Sequence, residues 1–182
     1  MEEFRGWRAM LCFPQMATKA QITAEQYLHM TFEHDAEFVR GEIVERTLPD
    51  LLHSATQAKV CFQLANLRSR FRLLPCIGIR MKLVEGLYRV ADVAVFSNHP
   101  VEDYPEQPPL VVVEIISPDD RHHYVMKKLE EYRNWGVQNI WVVDPLSKRF
   151  AIYTEMGLQY ISSLALADYP FELSPSVLFS DL

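Results

Sequence analysis

A chain of 182 residues, 49% of them apolar and 23% charged, is long enough for one domain around one core and has the ordinary composition of a soluble globular protein. Its formal net charge of −6 gives no broad basic field, which excludes constitutive coating of nucleic acid and leaves any such contact to a local cluster or a metal site. No apolar run approaches the roughly 18 residues a membrane span needs, and the opening M-E-E-F-R-G-W-R-A-M-L-C-F-P-Q lacks an export-signal core, so a cytoplasmic protein without membrane contact is expected.

Residues 1–15 read as an upstream extension with little structure, because Met16-Ala-Thr-Lys opens a more ordinary beginning; residues 16–182 are expected to form a single domain. Cys12, Cys61 and Cys76 form no C-x-x-C pair and leave an odd thiol over, which fits reduced, inert cysteines better than a disulfide framework. Thr23-Ala24-Glu25-Gln26 has the pattern of a capping box and predicts a short helix to about Met30. Glu37 to Arg40 and Glu42 to Arg46 alternate around Gly41, which predicts a hairpin that starts the sheet.

Leu48-Pro49-Asp50 breaks the hairpin. From Leu51 to Arg72 the apolar residues Val60, Leu64, Leu67 and Phe71 recur at helical spacing, with Gln57, Lys59, Arg68 and Arg70 on the polar face and Pro75 as the terminator. Cys76 to Val84 and Leu87 to Phe96 read as strands around Glu85-Gly86. The four prolines at 100, 105, 108 and 109 stiffen a loop that delivers the chain to Leu110–Ser117, a strand apolar on both faces and therefore central. A helix from about Tyr124 to Trp135 ends at Gly136. Strands follow over Asn139–Val143, Arg149–Thr154 and Leu158–Ser162, and Val177-Leu178-Phe179 closes the tail.

Two acids interrupt aliphatic strands: Asp92 in V-A-D-V-A-V and Glu114 in V-V-V-E-I-I. Burying an ionised carboxylate is costly unless a cation, a metal or several donors compensate it, so each is either paired or part of a site. Consecutive strands are commonly neighbours, and two converging carboxylates repel unless a divalent cation lies between them. Hard oxygen donors of this kind favour Mg2+, with Mn2+ as the alternative. The following helix offers Lys127 and Lys128. Val125, Leu129 and Tyr132 form its inward stripe, which places Lys128 beside that stripe, reaching toward Glu114 to orient or help deprotonate a water. Lys127 groups with Glu131 and Asn134 on the outer face.

The ordered series G-E-I-V, A-D-V-A-V, E-I-I-S-P, K-L-E-E-Y and G-V-Q-N-I-W-V-V-D-P resembles the Uma-two family of endonucleases, within the PD-(D/E)XK superfamily. The resemblance runs from about Thr23 to the C-terminus. It implies an α/β restriction-endonuclease-like fold, with a central mixed β-sheet flanked by helices, and magnesium-dependent hydrolysis of DNA phosphodiesters. Asp92 and Glu114 take the metal-binding positions, joined by the backbone carbonyl of Ile115, and Lys128 matches the family's helix lysine. Glu42 and His53 are weaker, accessory candidates. Ala91 replaces the proline of the "PD", and Ile116 stands where the superfamily's strand lysine would fall. A homodimer, which would cut both strands, is implied in the same way.

Blander readings stand beside these. Asp92 and Glu114 could be core acids paired with Arg80, Lys82 or Lys128, in a nuclease fold that only binds nucleic acid or in a structural interaction protein. His122 and His123 read as solvated turn residues, Tyr132, Trp135 and Trp141 as core, and Asp144 as a strand terminator.

Overall fold

The computed structural model describes residues 22–33, 35–118 and 120–182; the expected extension over residues 1–15, and Cys12, lie outside the described residues. Helix α1 (Ala24–His29) begins with the anticipated capping box: Thr23 Oγ1 accepts from the Gln26 amide at 3.1 Å, and the Gln26 side chain accepts from the Thr23 amide at 2.8 Å. Strands β1 (Ala36–Val39) and β2 (Glu42–Glu45) form the hairpin, with Val39 opposite Glu42. The turn residues Arg40 and Gly41 both take positive φ (53° and 93°), as a tight two-residue hairpin turn demands.

The helix expected over 51–72 is two helices, α2 (Leu51–Ala65) and α3 (Arg68–Phe71). Asp50, expected only to break the preceding strand, caps α2 by accepting from the His53 amide at 2.7 Å. Helix α3 closes at Arg72, which adopts a left-handed φ of 57°, so Pro75 does not end it. Pro75 instead lies in β3 (Leu74–Val84), which pairs with β4 (Leu87–Phe96) alone among the described strands. An edge strand tolerates a residue that lacks an N–H.

Strand β5 (Val111–Ile115), helix α4 (His122–Trp135) and strand β6 (Asn139–Asp144) form a βαβ unit whose strands are parallel; β7 (Arg149–Thr154) and β8 (Gly157–Ile161) continue the sheet antiparallel. The sheet order is β2-β1-β4-β5-β6-β7-β8, with β3 on the other edge of β4. Gly136, at φ 112°, caps α4 as anticipated. His122 and His123 correct the sequence reading in position only: they open the first turn of α4 and remain exposed. A small second hairpin, β9 (Leu164–Leu166) with β10 (Phe171–Leu173), and a terminal helix α5 (Pro175–Leu178) were not anticipated. No helix among the described residues is long and apolar enough to cross a membrane.

The sheet is filled on both faces. Val93, Val95, Val111, Val113 and Trp141 pack with Val60 and Leu64 of α2 and with the C-terminal hairpin. Ala94, Val112, Val142 and Ala151 pack with Leu129 and Tyr132 of α4. One irregularity positions the site. β3 covers one edge of β4 over its whole length, and the other edge is shared: β1 pairs at Leu87 and Tyr88, β5 at Val93 to Val95. Between them the sheet forks, and residues 89–92 face neither strand. The side-chain alternation also changes here, since Ala91 packs on the α4 side and Val93 on the α2 side, opposite Gly78 at φ 59°. Asp92 sits at that break.

Candidate active site

A fork leaves backbone groups without strand partners, and buried polar groups must find others. Side chains supply them. The Val90 amide donates to Glu37 Oε1 at 3.0 Å, and the Val90 carbonyl accepts from Lys128 Nζ at 2.8 Å. The Ile115 amide, two residues past Val113 where the β4–β5 register ends, donates to Asp92 Oδ2 at 2.7 Å. The charged residues at the fork therefore complete the sheet as well as lining a cavity of about 490 Å3, whose walls include Glu37, Arg46, His53, Asp92, Glu114 and Lys128.

Asp92 and Glu114 open onto this same cavity, and Lys128 reaches between neighbours. Its Nζ lies 2.8 Å from Glu114 Oε2 and 3.1 Å from Glu37 Oε1, and the side chain is only 7% exposed. Lys127, one residue earlier, is exposed. Burial lowers the proton affinity of the Lys128 amine, but the carboxylates of Glu114 and Glu37 outweigh it and raise the pKa. The group is thus an ammonium at neutral pH with its donors engaged. It can orient a water or steady developing negative charge; the deprotonating role also expected of it is disfavoured, because a base needs a free lone pair.

The two acids behave oppositely. Burial pushes the Asp92 carboxyl up, yet His53, Arg46 and Lys128 together hold it down at about 2. Arg46 Nη2 is 2.5 Å from Asp92 Oδ1, and His53 Nε2 is 3.4 Å from Asp92 Oδ2. Burial also drives Glu114 up, and although Lys128 pulls against it the nearby charge of Asp92 adds to the rise, giving about 7. One carboxylate is held ionised by its cationic neighbours, and the other is raised chiefly by its burial, with the charge of Asp92 adding to it. His53, buried at the start of α2, has its pKa raised by Asp92 against the effect of burial.

Several neighbours of the site escaped the sequence reading. Glu37 is fully buried; it bonds Arg89 Nη1 at 2.6 Å and the Tyr124 hydroxyl. Arg89, equally buried, also donates through Nε to Glu131 Oε2 at 2.7 Å, so Glu131 faces inward and not to the outer face of α4. Tyr132 is core, as expected, but its hydroxyl donates to Glu114 Oε1 at 2.9 Å. Gln57, expected on the polar face, turns in and donates to the Asp92 carbonyl at 2.7 Å. Arg80 and Lys82, expected as possible partners of the acids, bind Asp35 and the pair Glu85 and Glu106 instead.

The accessory candidates divide. His53 is beside Asp92, whereas Glu42 is exposed on β2 and is not among the residues lining the cavity. The carboxylate that joins Lys128 and Glu114 is Glu37. Ile115 lines the cavity, and it is the amide of this residue that the structure ties to Asp92.

The donor set fits a hard divalent ion. Among the described residues no three His, Cys, Asp or Glu side chains form a ready cage. Magnesium does not require one, since it commonly keeps several waters and takes one or two carboxylates. Asp92 and Glu114, on adjacent strands and both lining the cavity, are the two carboxylates available for such an ion.

A forked mixed sheet with α2 on one face, α4 on the other and paired acids on its central strands defines a protein of the restriction-endonuclease-like class. A family model described as "Putative restriction endonuclease" matches residues 24–178, and the chain belongs to that family, Uma2. The crystal structure of a "putative nuclease belonging to DUF820" from Anabaena variabilis ATCC 29413 is similar in fold, with a TM-score of 0.77 at 21% identity over 87% of this chain and 98% of that one. No curated protein matches the chain.

Proposed function

We propose that the chain is a metal-dependent deoxyribonuclease that hydrolyses DNA phosphodiester bonds, with Mg2+ or Mn2+ held by Asp92, Glu114 and the Ile115 carbonyl. The observation that carries this reading is the carboxylate pair on one cavity, with Glu114 raised to about 7 beside a protonated Lys128. A bound divalent ion would supply a water of lowered pKa and charge stabilisation for the phosphate. Lys128 supplies a fixed ammonium next to the acids, held by Glu37 and the Val90 carbonyl so that it needs no reorganisation when negative charge develops. Glu37, itself bonded by Arg89 and Tyr124, holds that lysine in place.

A second reading has its own support: every oxygen of Asp92 and Glu114 already has a partner in the chain, which suits a nuclease fold that binds without cutting. The two separate in one experiment. Wild type, Asp92→Asn and Lys128→Met are incubated with supercoiled plasmid and with single-stranded DNA in Mg2+, Mn2+ or EDTA, with folding checked by circular dichroism. Metal-dependent nicking by the wild type that both variants lose supports the nuclease. DNA retention without cleavage in any metal supports the binding module, and cleavage that persists in folded Lys128→Met removes the lysine from the mechanism.

A further inference from the structure

Resting on the proposed metal reading, we infer that Arg46 is a resident counter-cation on Asp92, which a divalent ion must displace, so that this arginine sets the metal affinity of the site. The geometry leaves one oxygen in contention. Asp92 Oδ2 is committed to the Ile115 amide at 2.7 Å, a backbone contact that orients the carboxylate and completes the fork. Oδ1 is met by a side chain, with Arg46 Nη2 on it at 2.5 Å.

Four further features point the same way. Arg46 follows β2 and is anchored by its amide, which donates to the Asp35 carbonyl at 2.8 Å, so only the side chain need move. The guanidinium stays charged because Asp92, then Glu114, then Glu37 outweigh the cost of its burial. It therefore sits where the fields of all three site carboxylates converge, the position a dication would also find most favourable. An alternative partner is within reach as well: Arg46 Nη1 is already 3.4 Å from Asp35 Oδ2, and the Asp35 side chain is 43% exposed, so a displaced guanidinium keeps a carboxylate partner. With its own side chain 24% exposed, Arg46 has an open route outward.

Such an arginine is a positioning residue. Without metal it keeps Asp92 ionised and aimed; with metal it competes for the same oxygen. A purely structural ion pair predicts the reverse, since loosening Asp92 would weaken any ligand it offers.

The test is Mn2+ binding to the metal-free full chain, read by calorimetry and by the electron paramagnetic resonance of free Mn2+, for wild type, Arg46→Met, Arg46→Gln and Asp92→Asn. The glutamine variant keeps a hydrogen bond to Asp92 and guards against a methionine variant that fails to fold. Both uncharged variants are expected to bind Mn2+ about tenfold more tightly than wild type, to melt lower than wild type without metal, and to gain more in melting temperature when Mn2+ is added. Asp92→Asn should bind none. Equal or weaker binding by the Arg46 variants, with binding by the wild type intact, overturns the inference and leaves the metal reading standing. Failure of wild type and both Arg46 variants to bind at millimolar Mn2+ overturns both.

Discussion

Glu37→Gln removes one charge from the most enclosed part of the site and almost nothing else. The glutamine carbonyl can still accept from the Val90 amide, but Arg89, at 2.6 Å, and Lys128, at 3.1 Å, lose the anion between them. Burial opposes the Glu37 charge, and Lys128, Arg89, the Tyr124 hydroxyl and the Val90 amide overcome it, carrying the carboxyl from 4.5 down to about 2. That difference corresponds to roughly 3 kcal/mol of folding free energy. Breaking a buried ion pair from one side costs about 3–5 kcal/mol in general, which is of the same order. The sign follows from the lowered folded pKa: the contribution is complete above the unfolded value of 4.5 and disappears as pH falls through about 2. Urea denaturation of both proteins should show a gap of about 3 kcal/mol at pH 7, shrinking to about 2 near pH 3.5. A gap under about 0.5 kcal/mol at pH 7, or one unchanged between pH 7 and 3.5, refutes the claim that Glu37 is held as an anion by Arg89 and Lys128.

Lys128→Met should destabilise the fold by about 3 kcal/mol or more, because Glu37 and Glu114 lose a shared cation, while Lys127→Ala, on the exposed side, should stay within about 0.5 kcal/mol; thermal melts of the two distinguish the helix faces. Glu114 is raised in the folded state, so its ionisation counts against the fold as pH climbs toward and past about 7; metal-free Glu114→Gln should gain on wild type by up to roughly 3 kcal/mol between pH 4.5 and 8, and a constant difference across that range would contradict it. Tyr132→Phe removes the donor to Glu114 Oε1 at a cost of about 1–2 kcal/mol, and should raise the Glu114 carboxyl further, visible in the infrared band of the protonated acid; a band that titrates as in wild type would count against the contact.

Asp92, Glu114 and Lys128 were legible because each rests on a local rule: an acid among aliphatics is costly, and helical spacing separates Lys128 from Lys127. The same rule was available for Arg89, a cation in the run L-Y-R-V-A-D-V, and would have flagged it. Its partner Glu37 was not legible. In the hairpin E-F-V-R-G-E-I-V that residue reads as an outward-facing polar position, and only the departure of β1 from β4 after Tyr88 turns it inward. Arg46 is hidden in the same way, since its role depends on where β2 ends relative to a strand some forty residues later. Short elements were lost for a different reason: β9 and β10 have three residues each, too few for alternation to register, and Asn66-Leu67 divides α2 from α3 without glycine or proline.

The fork also explains which of the buried charges the fold itself requires. Glu37, Asp92 and Lys128 each bond a backbone group that the diverging strands leave unpaired, so their presence follows from sheet geometry whatever the protein does. Glu114 is different. Both its oxygens go to side chains of α4, Lys128 and Tyr132, and neither contact replaces a lost strand bond. On a central strand packed between two layers, an amide or apolar residue would meet the fold's needs at lower cost, because replacing buried ionic groups with well-packed neutral ones is often neutral or stabilising. Stability therefore does not account for an acid at Glu114; the metal site proposed at the cavity does. Glu114→Gln should therefore combine a fold at least as stable as wild type at pH 8 with loss of divalent-metal binding; a variant that unfolds would return the residue to the structural network.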